Sequence, residues 1–315
     1  MAARMRIAVL DDYQNVALQM ADWSAVTDRA DVTVFNDHIS DPDELVARLE
    51  PFDVVFVMRE RTPLPRSIIE RLPKLRMIAS TGPFNASIDM AAAEEHGIHV
   101  GTTGGTVAST VELTWALILA GVRNLVAETL SVRDGGWQTS VGRELAGRTL
   151  GVLGLGRIGT RIARIGEAFG MKVVAWSQNL TPEAAAEAGA TRVAKDELFA
   201  TSDVLSVHLK LSERSTGLVG AGELALMKPT ALLVNTSRGP IIDEAALLNA
   251  LENHTIAGAA LDVFDTEPLP PGHPLRTLDN VLATPHIGYV ADRPYRIFFR
   301  DAVAAISDWL GANAQ

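Results

Sequence analysis

Four side chains in the second half of the chain have the chemistry to hold an anion or to move a proton. Arg238 lies in V-N-T-S-R-G-P, Asp262 and Glu267 lie in A-L-D-V-F-D-T-E-P-L-P, and His286 lies in T-P-H-I-G. An arginine offers a rigid fork for a carboxylate, and histidine is the most frequent general acid or base. A surface ion pair and solvated loop carboxylates are the alternative interpretations. Because the clusters follow predicted strands, we expect these side chains to lie at strand ends, where open α/β sheets bind ligands.

The segment from Leu150 to Ser177 predicts a dinucleotide site. An apolar strand runs into G-L-G-R-I-G, and a helical stretch and a second strand follow. Gly154 permits a tight turn, Gly156 lets the backbone approach a pyrophosphate, and Gly159 lets the helix pack on the strand. The N-terminus of that helix presents free N–H groups to phosphates. We therefore expect NAD or NADP as the cofactor.

The tip of the second strand of this segment has no acidic residue. NAD enzymes place Asp or Glu there to bind the adenosine ribose, whereas this chain has Ser177 and Gln178. No carboxylate repels a 2′-phosphate, and no basic residue follows at once to bind one. Arg157 in the glycine loop is a candidate for that role. The choice between NAD and NADP is open, with NADPH expected to be at least comparable to NADH.

Composition limits the class of protein. The 315 residues and 33.7 kDa suit two domains. The net charge of −10 argues against a nucleic-acid partner, and the lack of cysteine excludes disulfides and a thiol nucleophile. The longest apolar stretch, Leu113 to Val122, is too short to span a bilayer, so we expect a cytoplasmic protein without a membrane partner. His96 and His99 have no further ligand at metal-binding spacing, so no metal site is expected.

Apolar runs alternate with helical patterns along the whole chain, which predicts α/β domains with doubly wound parallel sheets. An apolar helix, Val107–Gly121, is expected to be buried between domains or subunits, and a C-terminal helix is expected at Ala302–Leu310. The loop Gly101–Gly105 is interpreted as a hinge. Beside the two strands of the glycine segment, the predicted strands are Ile7–Leu10, Val32–Phe35, Val54–Met58, Leu75–Ser80, Ile98–Val100, Val204–Val207, Ala231–Asn235, Ala257–Leu261 and Val281–Ala283.

With G-L-G-R-I-G, N-T-S-R-G, D-V-F-D-T-E-P-L and T-P-H-I-G in this order, the chain resembles the D-isomer-specific 2-hydroxyacid dehydrogenase family over essentially its whole length. The resemblance implies that Arg238 binds the substrate carboxylate and polarises the carbonyl. It implies that His286 is the proton donor in reduction and that Glu267 pairs with it and stabilises its charged form. It also implies that Asp262 contacts the nicotinamide carboxamide.

The resemblance further implies a Rossmann cofactor domain, residues 101–287, inserted into a flavodoxin-like substrate domain, residues 1–100 and 288–315, with closure of the two excluding water. The implied substrate-binding residues are Arg59, Thr81, Gly82 and Arg238, with backbone N–H groups near Thr81 and Gly82 facing the carboxylate. The implied cofactor-binding residues are Gly154, Gly156, Arg157, Ile158, Gly159, Ser177, Gln178, His208, Thr236 and Asp262.

Two segments depart from the family pattern. Pro83, Phe84 and Asn85 follow Gly82 where the family usually has G-x-G-x-D, and V-H-L-K around His208 replaces H-x-P. These departures indicate a divergent branch and leave the substrate open.

The predicted activity is NAD(P)-dependent oxidation and reduction at the CH–OH group of a small 2-hydroxy or 2-keto acid, in a homodimer. The alternatives are a phosphoglycerate dehydrogenase-type enzyme and a non-catalytic, NAD(H)-sensing protein of the corepressor kind. Turnover of 2-keto acids distinguishes the enzymes from the binding protein.

Overall fold

The computed structural model describes residues 4–313. The chain divides into two compact units, of which one comprises Met1–Thr106 and Ala291–Gln315 and the other comprises Val107–Val290. Each unit has its own parallel β-sheet, so the predicted fold class is confirmed. The first unit extends past residue 100, the bound expected from the sequence, and the second extends past residue 287. The cofactor and substrate roles of the two units stay predictions.

The sheet of the first unit has five parallel strands in the order β2-β1-β3-β4-β5. Two of its interior strands, β3 and β4, are buried along their whole length, which accounts for a sequence that is apolar at every position except Ser80. The strands are β1 (Met5–Val9), β2 (Ala30–Val34), β3 (Val54–Val57), β4 (Met77–Ser80) and β5 (His99–Thr102). The helices between them are α1 (Ala17–Met20), α2 (Ser24–Thr27), α3 (Pro42–Leu49), α4 (Arg66–Ile69) and α5 (Met90–Glu95).

The sheet of the second unit has seven parallel strands in the order β12-β11-β10-β9-β6-β7-β8. The chain winds in opposite directions on either side of the β6–β9 pair, and open α/β sheets bind ligands at such a switch point. The strands are β6 (Thr149–Leu153), β7 (Lys172–Trp176), β8 (Thr191–Arg192), β9 (Val204–Val207), β10 (Leu232–Asn235), β11 (Gly258–Leu261) and β12 (Val281–Ala283). The helices are α6 (Ala108–Val122), α7 (Leu125–Arg133), α8 (Gly159–Ala168), α9 (Pro182–Glu187), α10 (Lys195–Thr201), α11 (Ala221–Leu226) and α12 (Glu244–Glu252).

Two elements of the second unit differ from the sequence-based expectation. The edge strand β8 is absent from the predicted set because two residues are too few to form a pattern. The apolar helix is followed by a second helix, α7, because Asn124 adopts a left-handed conformation with φ 50° and turns the chain. Among the described residues no single helix is long and apolar enough to cross a membrane. Helices α6 and α7 together pass that test by length and composition, with a bend of 65° between them.

The last helix, α13 (Asp292–Ala312), belongs to the first unit. It begins at Asp292, ten residues before the predicted start at Ala302. Pro294 is compatible with this early start because it lies in the first turn, where proline removes no intrahelical hydrogen bond. Phe299 of α13 stacks on Phe56 of β3 with 5.2 Å between ring centroids. Strand β5 runs through Thr102, so the first two residues of the segment interpreted as a hinge are part of the sheet.

Candidate active site

The glycine loop follows β6 in the second unit. Gly154 has φ +101°, which L side chains rarely adopt, and a Cβ there would lie 2.8 Å from the carbonyl carbon of His208. Gly159 begins α8 so close to the loop that a Cβ would lie 2.1 Å from the Gly154 oxygen. Apart from its two chain neighbours, no described residue has an atom within 4 Å of a Cβ position at Gly156. The tight turn, the close packing and the open face fit the pyrophosphate of a dinucleotide.

The remaining predicted cofactor residues of this region lie at the ends of β7 and β6. Ser177 and Gln178 directly follow β7, where Ser177 is half-buried and Gln178 is exposed, and Ile158 forms the N-cap of α8. Arg157 is exposed in the glycine loop. The structure therefore places neutral polar side chains at the strand tip and a solvent-exposed cation on the adjacent loop.

His208 directly follows β9 and lies beside the glycine loop. Its Nε2 is 2.8 Å from the Ser206 hydroxyl, which is fully buried. Burial of the imidazole lowers the pKa of His208 to about 3. The side chain is therefore neutral at physiological pH and offers a polar group, not a positive charge, beside the glycine loop.

Arg238, Glu267 and His286 lie on loops that follow three neighbouring strands. Asn235 of β10 pairs with Leu261 of β11, and Leu261 pairs with Ala283 of β12. Parallel strands present their carboxyl ends at one edge, so the three loops begin side by side. Two of the loops touch, because a Cβ at Gly239 would lie 2.1 Å from the carbonyl carbon of Phe264.

The loop that carries Arg238, residues 235–239, is organised by the last residue of β10. The buried Asn235 side chain accepts a hydrogen bond from the Ser237 N–H at 3.0 Å and donates to the Arg238 carbonyl at 2.9 Å. Arg238 Nη1 donates to the Ser237 carbonyl at 2.7 Å. Hydrogen bonds within residues 235–239 therefore fix the conformation of this Arg238 loop without a contribution from a ligand.

The loop that carries His286, residues 284–288, is bound by the carboxylate of Asp262, which is fully buried. Asp262 Oδ1 accepts hydrogen bonds from the Thr284 hydroxyl at 2.6 Å and the Ile287 N–H at 2.9 Å, and Oδ2 accepts from the Gly288 N–H at 2.8 Å. Burial raises the pKa of Asp262 above its ordinary value, and these hydrogen bonds oppose that shift. Both oxygens thus serve the His286 loop, while the implied contact with a nicotinamide carboxamide stays a prediction.

His286 and Glu267 form a direct pair. His286 Nδ1 lies 2.5 Å from Glu267 Oε2, and Glu267 Oε1 accepts a hydrogen bond from the Phe264 N–H at 2.9 Å. An ionised carboxylate only accepts hydrogen bonds, so Nδ1 carries the proton of this contact. Nε2 is then the nitrogen that can exchange a proton with a substrate. His286 adopts a left-handed backbone with φ 51°, a conformation that costs a residue with a Cβ free energy.

Arg59 follows β3 in the first unit and has the same kind of backbone, with φ 53°. Its N–H donates to the Thr81 hydroxyl at 2.7 Å, and its carbonyl accepts from the Asn85 side chain at 2.7 Å. Its guanidinium donates to the Thr81 carbonyl at 3.1 Å and lies over Gly82, where a Cβ would be 1.7 Å from Nη1. The structure therefore brings Arg59, Thr81 and Gly82 together.

The expectation that backbone N–H groups near Thr81 and Gly82 face a carboxylate is not met in this conformation. The Thr81 N–H donates to the Val57 carbonyl at 3.2 Å, and the Gly82 N–H donates to the Thr103 hydroxyl at 2.7 Å. The strand ladder and Thr103 use these donors inside the first unit. Thr81 and Gly82 instead support the conformation of Arg59.

Sequence reasoning gave no role to Asn85, Thr103 or Thr284. Asn85 was visible only as a departure from the family pattern, although a buried amide beside a loop needs hydrogen-bond partners. Thr284 stands two residues before His286 in T-P-H-I-G, where a hydroxyl at a strand end indicates a loop contact. Within residues 4–313 no group of three or more acidic, histidine or cysteine side chains is arranged to hold a metal ion.

A dinucleotide-binding sheet with a histidine–carboxylate pair and an arginine at neighbouring strand ends is the arrangement of a nicotinamide-dependent dehydrogenase. The sequence profile of the D-isomer specific 2-hydroxyacid dehydrogenase NAD-binding domain matches residues 115–288. The chain belongs to this family. It is an NAD(P)-dependent oxidoreductase that acts on the CH–OH group of 2-hydroxy acids.

Individual relatives cover most of the chain. It is 40% identical to a glyoxylate reductase of Aeropyrum pernix over 81% of this chain and 79% of the relative. It is 36% identical to a hydroxypyruvate reductase of Thermotoga maritima over 91% and 92%. The crystal structure of a phosphoglycerate oxidoreductase from Vibrio cholerae superposes with a TM-score of 0.92 at 40% identity, covering 98% and 99%. The chain spans 47% of the length of two D-3-phosphoglycerate dehydrogenases that it matches.

Proposed function

We propose that this protein reduces a small, unphosphorylated 2-keto acid such as glyoxylate or hydroxypyruvate, with Arg238, Glu267 and His286 as its catalytic residues. The observation that carries the proposal is the 2.5 Å contact between His286 Nδ1 and Glu267 Oε2, on loops beside Arg238. The similarity to a glyoxylate reductase and a hydroxypyruvate reductase over most of their length supports the substrate class.

In the proposed reduction, the pair of Glu267 and His286 delivers a proton to the substrate. The Glu267 carboxylate stabilises the imidazolium form of His286, and Nε2 then donates a proton to the carbonyl oxygen as that oxygen gains negative charge. Arg238 holds the carboxylate of the keto acid with its two-pronged geometry and orients the carbonyl. NAD(P)H, when bound, supplies the hydride. In the first unit, Arg59 is proposed as a further cation for the substrate.

Steady-state rates with a panel of substrates test this proposal. The panel contains glyoxylate, hydroxypyruvate, pyruvate, a bulkier 2-keto acid and a phosphorylated three-carbon keto acid, each with NADH and with NADPH. We expect the highest kcat/KM with one of the small unphosphorylated acids. A preference for the phosphorylated acid would favour the phosphoglycerate-type alternative, and cofactor binding without any turnover would favour the sensing protein.

We propose that NADPH is at least comparable to NADH as a reductant. The neutral Ser177 and Gln178 at the end of β7 support this, since no carboxylate there repels a 2′-phosphate. Ser177→Asp should shift selectivity towards NADH by restoring both the ribose acceptor and the repulsion. A strong NADH preference of the unaltered enzyme that Ser177→Asp leaves unchanged would contradict the proposal.

We propose a homodimer that covers the apolar surface of α7. None of the nine residues of α7, all of which the structure describes, is buried, and contiguous exposed apolar surface marks interaction sites. Leu130→Asp should shift the mass in solution from dimer to monomer, whereas Leu18→Asp on the first unit should not. A monomeric unaltered protein would contradict the proposal. The large apolar side chains that are at least half exposed in this region are Leu125, Val126, Leu130, Val132, Trp137 and Val141.

The cytoplasm as compartment stays a prediction from the sequence.

A further inference from the structure

Helix α6 carries two threonines that contact the catalytic loops of the second unit. Thr114 is fully buried in a helix whose other buried side chains are mostly apolar. A buried hydroxyl costs free energy unless it is hydrogen-bonded, and valine has the same shape without that cost. Thr114 and Thr110 are four residues apart, so they lie on the same face of the helix. The presence of threonine instead of valine at these two positions therefore indicates that the hydroxyls make hydrogen bonds that matter.

The hydroxyl of Thr114 connects α6 to the Arg238 loop. Thr114 Oγ1 donates its single proton to the Thr110 carbonyl at 2.7 Å, and it lies 2.8 Å from the Thr236 hydroxyl. With that proton already used, the Thr236 hydroxyl is the donor of the second contact. The interaction fixes the rotamer of Thr236, which lies two residues before Arg238.

The hydroxyl of Thr110 connects α6 to the His286 loop. Thr110 Oγ1 donates to the Gly288 carbonyl at 3.1 Å. The same side chain packs on Gly288, where a Cβ would lie 3.5 Å from both Thr110 Oγ1 and Cγ2. Gly288 is two residues after His286, and its N–H is already bound by Asp262. The carbonyl side of the His286 loop is thus held by α6.

We propose that Thr110 and Thr114 are positioning residues, which set the spacing of the Arg238 loop and the His286 loop through hydrogen bonds from one helix face. Four residues of α-helix span about 6 Å, and a helix does not stretch. Proton donation requires the carboxylate-binding arginine and the histidine to keep their separation, since a misplacement of about 1 Å can cost about 10²-fold in rate. This proposal rests on the proposed roles of Arg238 and His286.

Isosteric variants test the proposal. Thr110→Val removes only the contact with the His286 loop, so kcat should fall about 10-fold with little change in the KM of the keto acid. Thr114→Val removes the contact with the Arg238 loop together with the hydrogen bond to the Thr110 carbonyl within α6. We expect kcat to fall and the KM of the keto acid to rise by about 10-fold as well. Thr110→Ser and Thr114→Ser should recover most of the loss, because they keep the hydroxyl. A residue that only stabilises the fold would change the unfolding transition without this split between kcat and KM.

Ser109→Ala is the matched control. Ser109 is buried on the same helix, and its hydroxyl has no hydrogen-bond partner within residues 4–313. Its removal should leave kcat and KM unchanged. Amide hydrogen exchange gives a second measurement that needs no turnover. Thr110→Val should speed exchange in residues 284–288, and Thr114→Val in residues 235–238, by several-fold, with neither segment affected by Ser109→Ala.

The two measurements separate this proposal from the proposed function. An unaltered protein without turnover of any keto acid would overturn the function, and the exchange pattern would still decide whether α6 holds the loops. Unaltered kinetics in both valine variants of an active enzyme would overturn the positioning role. Unchanged exchange in both segments would also overturn it.

Discussion

The His286 loop of the second unit and the turn at Arg59 after β3 of the first unit (the Arg59 turn) both contain a left-handed residue, but different side chains support the two segments. Each follows a parallel strand and places a side chain with a proposed role in the reaction on a left-handed backbone, with φ 51° and 53°. The His286 loop is held by a buried carboxylate, Asp262, which accepts three hydrogen bonds. The Arg59 turn is held by two neutral side chains, Thr81 and Asn85.

This difference matches the chemistry proposed for the two side chains. A carboxylate that binds backbone N–H groups forms stronger hydrogen bonds than a neutral acceptor does. A proton donor must keep its geometry to a fraction of an ångström, whereas a cation that attracts an anion tolerates more movement. We infer that the ionised support serves the reacting residue and the neutral support serves substrate binding. The comparison leads to four predictions.

The largest expected effect is at the histidine. His286→Ala removes the proposed proton donor, so kcat should fall about 10²–10⁴-fold, while the affinity for the cofactor changes little. Stopped-flow reduction of the best keto acid and fluorescence titration with NADPH measure the two quantities.

His254→Ala provides the matched control, because His254 is exposed and has φ 52°. It shares the backbone conformation of His286 without the loop or the carboxylate partner, so its kcat should stay unchanged. A His286→Ala enzyme with near-normal kcat would remove the basis for regarding this loop as the reacting one.

The second prediction compares the two supports directly. Asp262→Ala leaves three donors without their acceptor, and each buried unsatisfied donor costs about 1–3 kcal/mol. We expect a lower free energy of unfolding and a kcat lowered about 10²-fold. Asn85→Ala removes donors to the Arg59 carbonyl and the Ser80 hydroxyl. It should cost less stability and mainly raise the KM of the keto acid. Equal effects of both variants on kcat would show that the two supports do not differ in function.

Features that depend on neighbouring residues can be predicted from the sequence, whereas hydrogen bonds between residues far apart in the chain cannot. The parallel sheets and the glycine loop follow from local patterns, and three motifs in order make Arg238, Glu267 and His286 the candidate catalytic residues. Asp262 was also found, but as a cofactor ligand, because its hydrogen bonds to residues 284–288 depend on the pairing of β11 with β12. Asn85 was visible only as a departure from the family pattern, and Thr114 gave no signal, since a single amide or hydroxyl has no periodicity.

The third prediction uses pH. Burial raises the pKa of Asp262, so the folded protein binds a proton at this site more tightly than the unfolded chain does. Asp262 therefore contributes most to stability at low pH, and that contribution decreases as pH rises from about 3.8 through the raised pKa, by about 1.4 kcal/mol per unit of difference. The loss of stability in Asp262→Ala should be larger at pH 4 than at pH 7 in urea titrations. The loss in Asn85→Ala should not change with pH, because neither support of Arg59 titrates. A pH-independent cost of Asp262→Ala would mean that this carboxylate is not strongly desolvated.

The smallest expected effect concerns the backbone that the two loops share. A left-handed conformation costs a residue with a Cβ about 1–2 kcal/mol, and glycine gives back about 0.4–1 kcal/mol through the flexibility of the unfolded chain. His286→Gly should therefore be more stable than His286→Ala by about 0.5–1 kcal/mol, and Arg59→Gly should be more stable than Arg59→Ala by a similar amount. Both variants at a position have lost the native side chain, so the difference between them reports the cost of the backbone conformation. His96, with φ −94° at the end of α5, is the control, and there alanine should be the more stable replacement. If glycine has its advantage at His286 but not at Arg59, the neutral support does not hold the left-handed turn in solution, and the Asp262 carboxylate alone maintains a strained loop.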